Sequence, residues 1–177
     1  MVSATEQKRF TAVVLAVLLL DLATKIAAEV WLRRYVGVPV IGDLFQLRLV
    51  YNPGAAFGIH VGQYSRWVFM ALSIAALVVL GSMLRNTRAG DTIRIYALSL
   101  ICAGAAGNLV DRFRNPRGVV DFLDFNFGDW HFPTFNVADT AVTCGAILLA
   151  WSLWNEGRHV EAPTVMPPPE AVPPAGS

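Results

Sequence analysis

Charge is scarce in this chain. Only 15% of its 177 residues are Asp, Glu, Lys or Arg, against 55% hydrophobic ones, and its mean hydropathy lies well above that of a water-soluble domain. The formal net charge of +1 leaves no basic excess to hold nucleic acid and no acidic block to solvate a tail, so the expected partner is lipid. Cysteine is nearly absent as well. Cys102 and Cys144 sit inside apolar runs with neither CxxC nor His spacing, which speaks against a metal site or a disulfide framework and marks them as small core residues. His60, His131 and His159 stand singly and read as interfacial or solvent residues.

What the chain has is long apolar runs. Four stretches approach the roughly 20 apolar residues a helix needs to cross a bilayer: about 10–28, 67–84, 93–110 and 135–154. The first begins after Lys8 and Arg9 like a cleavable signal, but Asp21-Leu22-Ala23-Thr24-Lys25 stands where a small-residue cleavage site should be, and three more spans follow. The expected fold is an all-α polytopic membrane protein of four transmembrane helices, residues 1–158, with both termini on one side. The segment 159–177 is Pro-rich, lacks periodicity and is expected to be a disordered tail.

Orientation rests on arginine. Arg85, Arg88 and Arg94 crowd the short second connection, which the positive-inside rule places in the cytoplasm together with both termini. The opposite side is not poor in charge, since Arg33, Arg34, Arg48 and Arg66 border or occupy the first connection and Arg112, Arg114 and Arg117 the third. Within the first connection, residues 35–52 alternate β-branched or aromatic residues with turn formers such as Pro39 and Gly42-Asp43, a pattern that predicts a small extracytoplasmic β platform on the membrane surface. Residues 59–69 mix aromatic and polar side chains like an interfacial segment, and Trp130, Trp151 and Trp154 read as interface anchors.

Polar residues inside or beside the spans then stand out. Asp21 and Lys25, four apart, share a helix face and can pair with each other or with another helix; the plainer reading is an ion pair that holds the bundle together. Asn108, Asp111 and Arg112 fall at i, i+3 and i+4 after the small residues 104–107, which permit close helix approach. Asn136, Asp139, Thr140 and Thr143 are expected to line one face of the fourth span. All these groups converge on the membrane surface opposite the termini. Three unrelated structural ion pairs have no reason to share one face, whereas a polar site at the interface requires it.

The third connection offers Asp139 a partner. Asp121, Asp124 and Asp129 lie in a short extended, partly buried segment ending in a turn. Asp121 and Asp124 are an odd number of residues apart, so in a strand they point to opposite faces and only one of them can face Asp139. Two carboxylates held close in an apolar setting share a proton, which is the acid and base pair of an aspartic peptidase. No Asp-Thr-Gly turn or Gly-x-Gly-Asp string is present, which excludes the pepsin-like and presenilin-type versions; Asp139-Thr140 runs on to Ala141, and 126–129 only approaches the latter. A proton-coupled transporter is the leading rival, but no internal repeat or pair of broken helices supports it. An assembly protein whose polar residues only hold helices together is the other.

Five pieces in order, 21–25 (DLATK), 52–58 (NPGAAFG), 104–113 (GAAGNLVDRF), 119–125 (VVDFLDF) and 135–140 (FNVADT), closely resemble lipoprotein signal peptidase, or signal peptidase II, a family of bacterial intramembrane aspartyl proteases. The resemblance covers nearly the whole chain up to the Pro-rich tail. It implies that Asp121 and Asp139 are the catalytic dyad, that Asp21, Lys25, Asn52, Gly54, Asn108, Arg112 and Asn136 orient it or hold substrate, and that Asp124 is not catalytic. Ala23 and Pro53 occupy variable positions of those motifs, and Pro53 is expected to stiffen its loop. The resemblance further implies a diacylglyceryl-modified prolipoprotein as substrate, cut just before its lipidated Cys. It implies no metal or nucleotide, a monomer, and residence in the bacterial inner membrane with the site at the extracytoplasmic surface.

Overall fold

The computed structural model describes residues 2–54 and 62–160, with side chains to Glu156. Four helices are long and apolar enough to span a bilayer, and each runs past the apolar stretch that announces it. α1 covers Ala4–Trp31, α2 Ser65–Arg85, α3 Thr92–Arg114 and α4 Val137–Val160. The extensions consist of polar and aromatic residues that continue the helical hydrogen bonding into the headgroup region, where hydropathy alone sees no reason for a helix. α4 reaches two residues beyond Arg158, and residues 161–177 lie outside the described residues.

α3 is the axis of the bundle. It packs against α4, α1 and α2, whereas α2 leans mainly on α3. Small residues make this possible: the backbone of α4 passes so close to Gly104 that a Cβ there would meet the Ala138 carbonyl, and one on Gly107 would collide with the Asp21 carboxylate. Leu80, Leu98 and Cys102 are buried between the helices, with Phe10, Val14 and Leu149 against them. Outward residues such as Leu19, Val30, Val78 and Ile147 face lipid.

At one end of the bundle the short α2–α3 turn is stapled to the start of α1. Ser3 and Glu6 form a capping box, and the same Glu6 carboxylate accepts the Gly90 N–H at 2.7 Å. Asp91 caps α3, and Arg94 reaches Glu156 of α4 at 3.1 Å. The other end carries a four-stranded antiparallel sheet in the order β1 (Val38–Ile41), β2 (Phe45–Asn52), β3 (Val119–Phe127), β4 (Trp130–His131). The β platform expected of the first connection is therefore only half of the sheet, since the third connection supplies the other half. Gly42 turns the first hairpin with φ of 47°, but Pro39, read as a turn former, lies inside β1, an edge strand where its missing N–H does no harm.

The β2–β3 register, Val50 opposite Asp121 and Asn52 opposite Val119, decides which face each side chain takes. Leu49, Tyr51, Val120 and Phe122 turn to the end of α1 and bury against Ala28 and Leu32. Asp121 turns the other way, towards α4. Of the interfacial stretch 59–69, residues 59–61, His60 among them, lie outside the described residues. Gly62–Tyr64 form a 3-10 turn and the remainder belongs to α2. Trp130, Trp151 and Trp154 are exposed, as interface anchors require. Gly107→Ala should lower the melting temperature in detergent, by about 1–3 kcal/mol of stability for a forced contact, while Gly81→Ala, with open space around it, should not; equal melting of the two variants would contradict the packing described.

Candidate functional site

The site grows from one buried cation. Lys25 is fully buried, and its ammonium has three protons for three acceptors: Asp21 at 2.7 Å, Asp111 at 3.0 Å and the Asn108 side-chain oxygen at 3.0 Å. The pairing expected of Asp21 and Lys25 is present, and both carboxylates do further work. Asp21 accepts the backbone N–H of Ala138 in the first turn of α4 at 2.9 Å. Asp111 accepts the N–H of Val120 in β3 at 3.1 Å and the Arg114 guanidinium at 2.8 Å. The strand that carries Asp121 and the helix that carries Asp139 are thereby hung on the same ammonium.

Asn136 is not part of the α4 face but its N-cap. Its side-chain oxygen accepts the Asp139 N–H at 2.9 Å, while its own N–H donates to the Asp139 carboxylate at 3.1 Å, a reciprocal capping box. A carboxylate in the first turn of a membrane helix thus satisfies a backbone donor that lipid could not and sits at the favourable end of the helix dipole. Thr140 and Thr143, expected on the same face, are exposed and bond the carbonyls of Asn136 and Asp139 behind them.

Three asparagine amides converge on the two carboxylates, and each is oriented by a group that can only donate. Lys25 occupies the Asn108 oxygen, so its NH2 points to Asp139 at 2.8 Å. The Asp139 N–H occupies the Asn136 oxygen, so its NH2 points to Asp121 at 2.7 Å, and shares with the Val120 carbonyl and the Asn108 oxygen. The Gly54 N–H occupies the Asn52 oxygen at 3.0 Å, and the Asn52 side chain bonds Asp121. Gly54 itself has φ of 117°, and a Cβ there would press into the Phe69 ring of α2.

Burial, followed by the negative charge of nearby Asp139, pushes the Asp121 carboxyl up from 3.8 to about 7, and the Asn52 and Asn136 amides pull only partly against this. A neutral acid beside a carboxylate whose two oxygens already accept N–H groups can give a proton at one point and take one at the other. Asp124 is kept apart: it is buried on the far side, with Arg48 at 3.2 Å and the Thr134 hydroxyl at 3.3 Å. Arg112 lies over the Phe69 ring, donates to the Asn108 carbonyl at 3.1 Å, and keeps its Nε buried without a hydrogen-bond partner among the described residues. Asp111 is the one central group absent from the expected set. Its i+3 spacing from Asn108 was the available signal.

Compared with known proteins, residues 13–155 match the family described as Signal peptidase (SPase) II. The chain is similar to the lipoprotein signal peptidase of Nitratidesulfovibrio vulgaris (strain DP4), 41% identical over 79% of this chain and 86% of that one. It is similar also to the lipoprotein signal peptidase of Burkholderia mallei (strain SAVP1), 43% identical over 82% and 86%. Among solved structures, a bacterial membrane enzyme determined by the in meso method at 2.3 Å superposes with a TM-score of 0.79 at 28% identity, covering 90% of this chain and 95% of the other.

Two measurements test the network. Lys25→Met strands two buried carboxylates and should cost about 3–5 kcal/mol, read as a large loss of melting temperature in detergent; wild-type melting would remove Lys25 from the centre of the fold. Asp121 holds its proton to about 7 when folded but only to 3.8 when unfolded, so the folded state binds the extra proton between those values. Its contribution to stability is full below about 4 and is lost as pH rises through about 7. Asp121→Asn should remove that slope, so that the variant gains on wild type between acid and neutral pH; parallel melting curves across the range would show that the carboxyl is not raised.

Proposed function

The chain belongs to the signal peptidase II family, and we propose that this multi-pass membrane peptidase cleaves diacylglyceryl-modified prolipoproteins by aspartic catalysis, just before the lipidated Cys. The observation that carries the reading is the pair of carboxylates, Asp121 and Asp139, served by three amides whose NH2 groups are all turned towards them. Asp139, with one oxygen on the Asn108 amide and the other on the Asn136 N–H, is the anion, and each oxygen keeps a lone pair for water. Asp121 is the acid.

In this mechanism Asp139 takes a proton from a water molecule as its oxygen attacks the scissile carbonyl carbon, and Asp121 gives its proton to the carbonyl oxygen. The tetrahedral diol collapses, the C–N bond breaks, and the proton held by Asp139 passes to the departing amine of the Cys. A diol proton returns to Asp121. Arg112 is in place to donate its Nε, which has no partner among the described residues, to a substrate carbonyl, and Asn52 holds the Gly54 N–H where Gly54 lies against Phe69 and Ser65 of α2. Asp21, Lys25, Asn108 and Asn136 act as positioning residues.

The sheet end of the bundle is assigned to the extracytoplasmic surface of the bacterial inner membrane, with both termini in the cytoplasm and residues 1–158 working as one monomeric unit. The dyad then lies at the depth where a lipid-anchored Cys presents its preceding peptide bond. The second reading, in which Asp139 merely caps α4, draws on the capping box. Gel-resolved cleavage of a diacylglyceryl-modified prolipoprotein separates the two: Asp121→Asn and Asp139→Asn should each fold as wild type and lose about 10²–10⁴-fold in rate. The wild-type rate should fall as pH rises through about 7, where Asp121 gives up its proton. Folded Asn variants that cut at the wild-type rate would sink the mechanism.

A further inference from the structure

We propose that the arginines around Tyr51 form a seat for the phosphate headgroup of an anionic phospholipid in the leaflet next to the sheet. The Tyr51 ring is buried, and two guanidiniums lie over it, Arg117 at 3.8 Å and Arg34 at 5.0 Å from its centroid, which brings the two cations within about 9 Å of each other. The ring cannot turn away, because its hydroxyl is bonded to Glu29 at 3.1 Å. Cation–π contact uses the flat face of a guanidinium, and although Arg34 gives one N–H to the Tyr35 hydroxyl at 3.3 Å and Arg117 its Nε–H to the Asn115 side-chain oxygen at 3.4 Å, both keep further N–H donors for a tetrahedral anion.

Acid is short at this place. Glu29 is shared by Arg114 at 3.0 Å and Arg117 at 3.9 Å, and Asp111 is already engaged by Lys25. Among the described residues no carboxylate lies within ion-pair distance of Arg34 or of its neighbour Arg33, and both side chains are exposed. Two like charges over one ring are costly unless an anion stands between them.

The occupant is a lipid by its depth. The cluster lies where α1 and α3 end, flanked by Trp31 and Tyr35, which are 80% and 64% exposed in the manner of interface aromatics. A phosphate at that level belongs to a headgroup whose acyl chains run along the outward face of α1. With the orientation proposed above, this arginine density lies on the side that the positive-inside rule leaves poor in Lys and Arg, so it needs a local reason. The same strand leads directly to the site, since Tyr51 precedes Asn52, which bonds Asp121.

The test needs no substrate and is independent of the peptidase reading. Native mass spectrometry of the full chain, released from micelles holding equal phosphatidylglycerol and phosphatidylcholine of matched chains, reads which lipid stays bound. Wild type should retain phosphatidylglycerol selectively. Arg34→Gln/Arg117→Gln should lose that preference by roughly fivefold per arginine removed, while Arg85→Gln, at the opposite end of the bundle, should keep it. Should the double variant fail to fold, the exposed single variant Arg34→Gln carries the test with the same criterion. Equal retention of both lipids by wild type, or an unchanged preference in the Arg34 variants, overturns the proposal.

Discussion

Everything at the sheet end depends on one ammonium having three protons. Lys25 spends them on Asp21, Asp111 and Asn108; the far oxygen of Asp21 then takes hold of α4, and the same Asp111 oxygen that meets Lys25 takes hold of β3. A buried ion cluster is a poor source of net stability, because desolvation consumes most of the Coulombic gain. Its value is geometric: it admits one relative placement of α1, α3, α4 and β3. Gly107 has no side chain because Asp21 needs the space to reach across.

Orientation passes outward from that centre by hydrogen-bond polarity. An amide can be placed either way round unless something fixes it, and here donor-only groups do so at Asn108, Asn136 and Asn52. The carboxylates receive NH2 groups with no rearrangement, which keeps their surroundings set before any ligand arrives. Asp139 joins this system while closing the first turn of α4, so the start of a membrane helix and half of a carboxylate pair are the same residue.

Much of this could be read from the chain. The four spans follow from hydropathy, and that Asp121 and Asp124 take opposite faces of β3 is a matter of strand parity, with Asp121 turned to Asn136 and Asp124 to Arg48. The helix ends could not be read, because Trp31, Arg85 and Arg114 continue hydrogen-bonded helix beyond the apolar run. Nor could the pairing of β2 with β3, two segments from separate connections whose register is set by tertiary contact with α1. Asn136 shows the limit of helical arithmetic: a cap residue does not obey the period of the helix it begins. The partnership of Asp111 with Lys25 could not be read either, because it joins residues of α3 and α1 that are far apart in sequence and are brought together only by the packing of the helices.

The attachment of α2 differs at its two ends. Below, it is joined to α3 by a short covalent turn whose Gly90 is anchored on Glu6. Above, beside the site, Arg66 adds a polar attachment, donating to the Arg112 and Phe113 carbonyls in the last turn of α3 at 2.7 and 3.3 Å. Mechanically this is a door with a fixed hinge and a latch at Arg66, and that latch closes on the backbone of the same arginine whose side chain stands over Phe69.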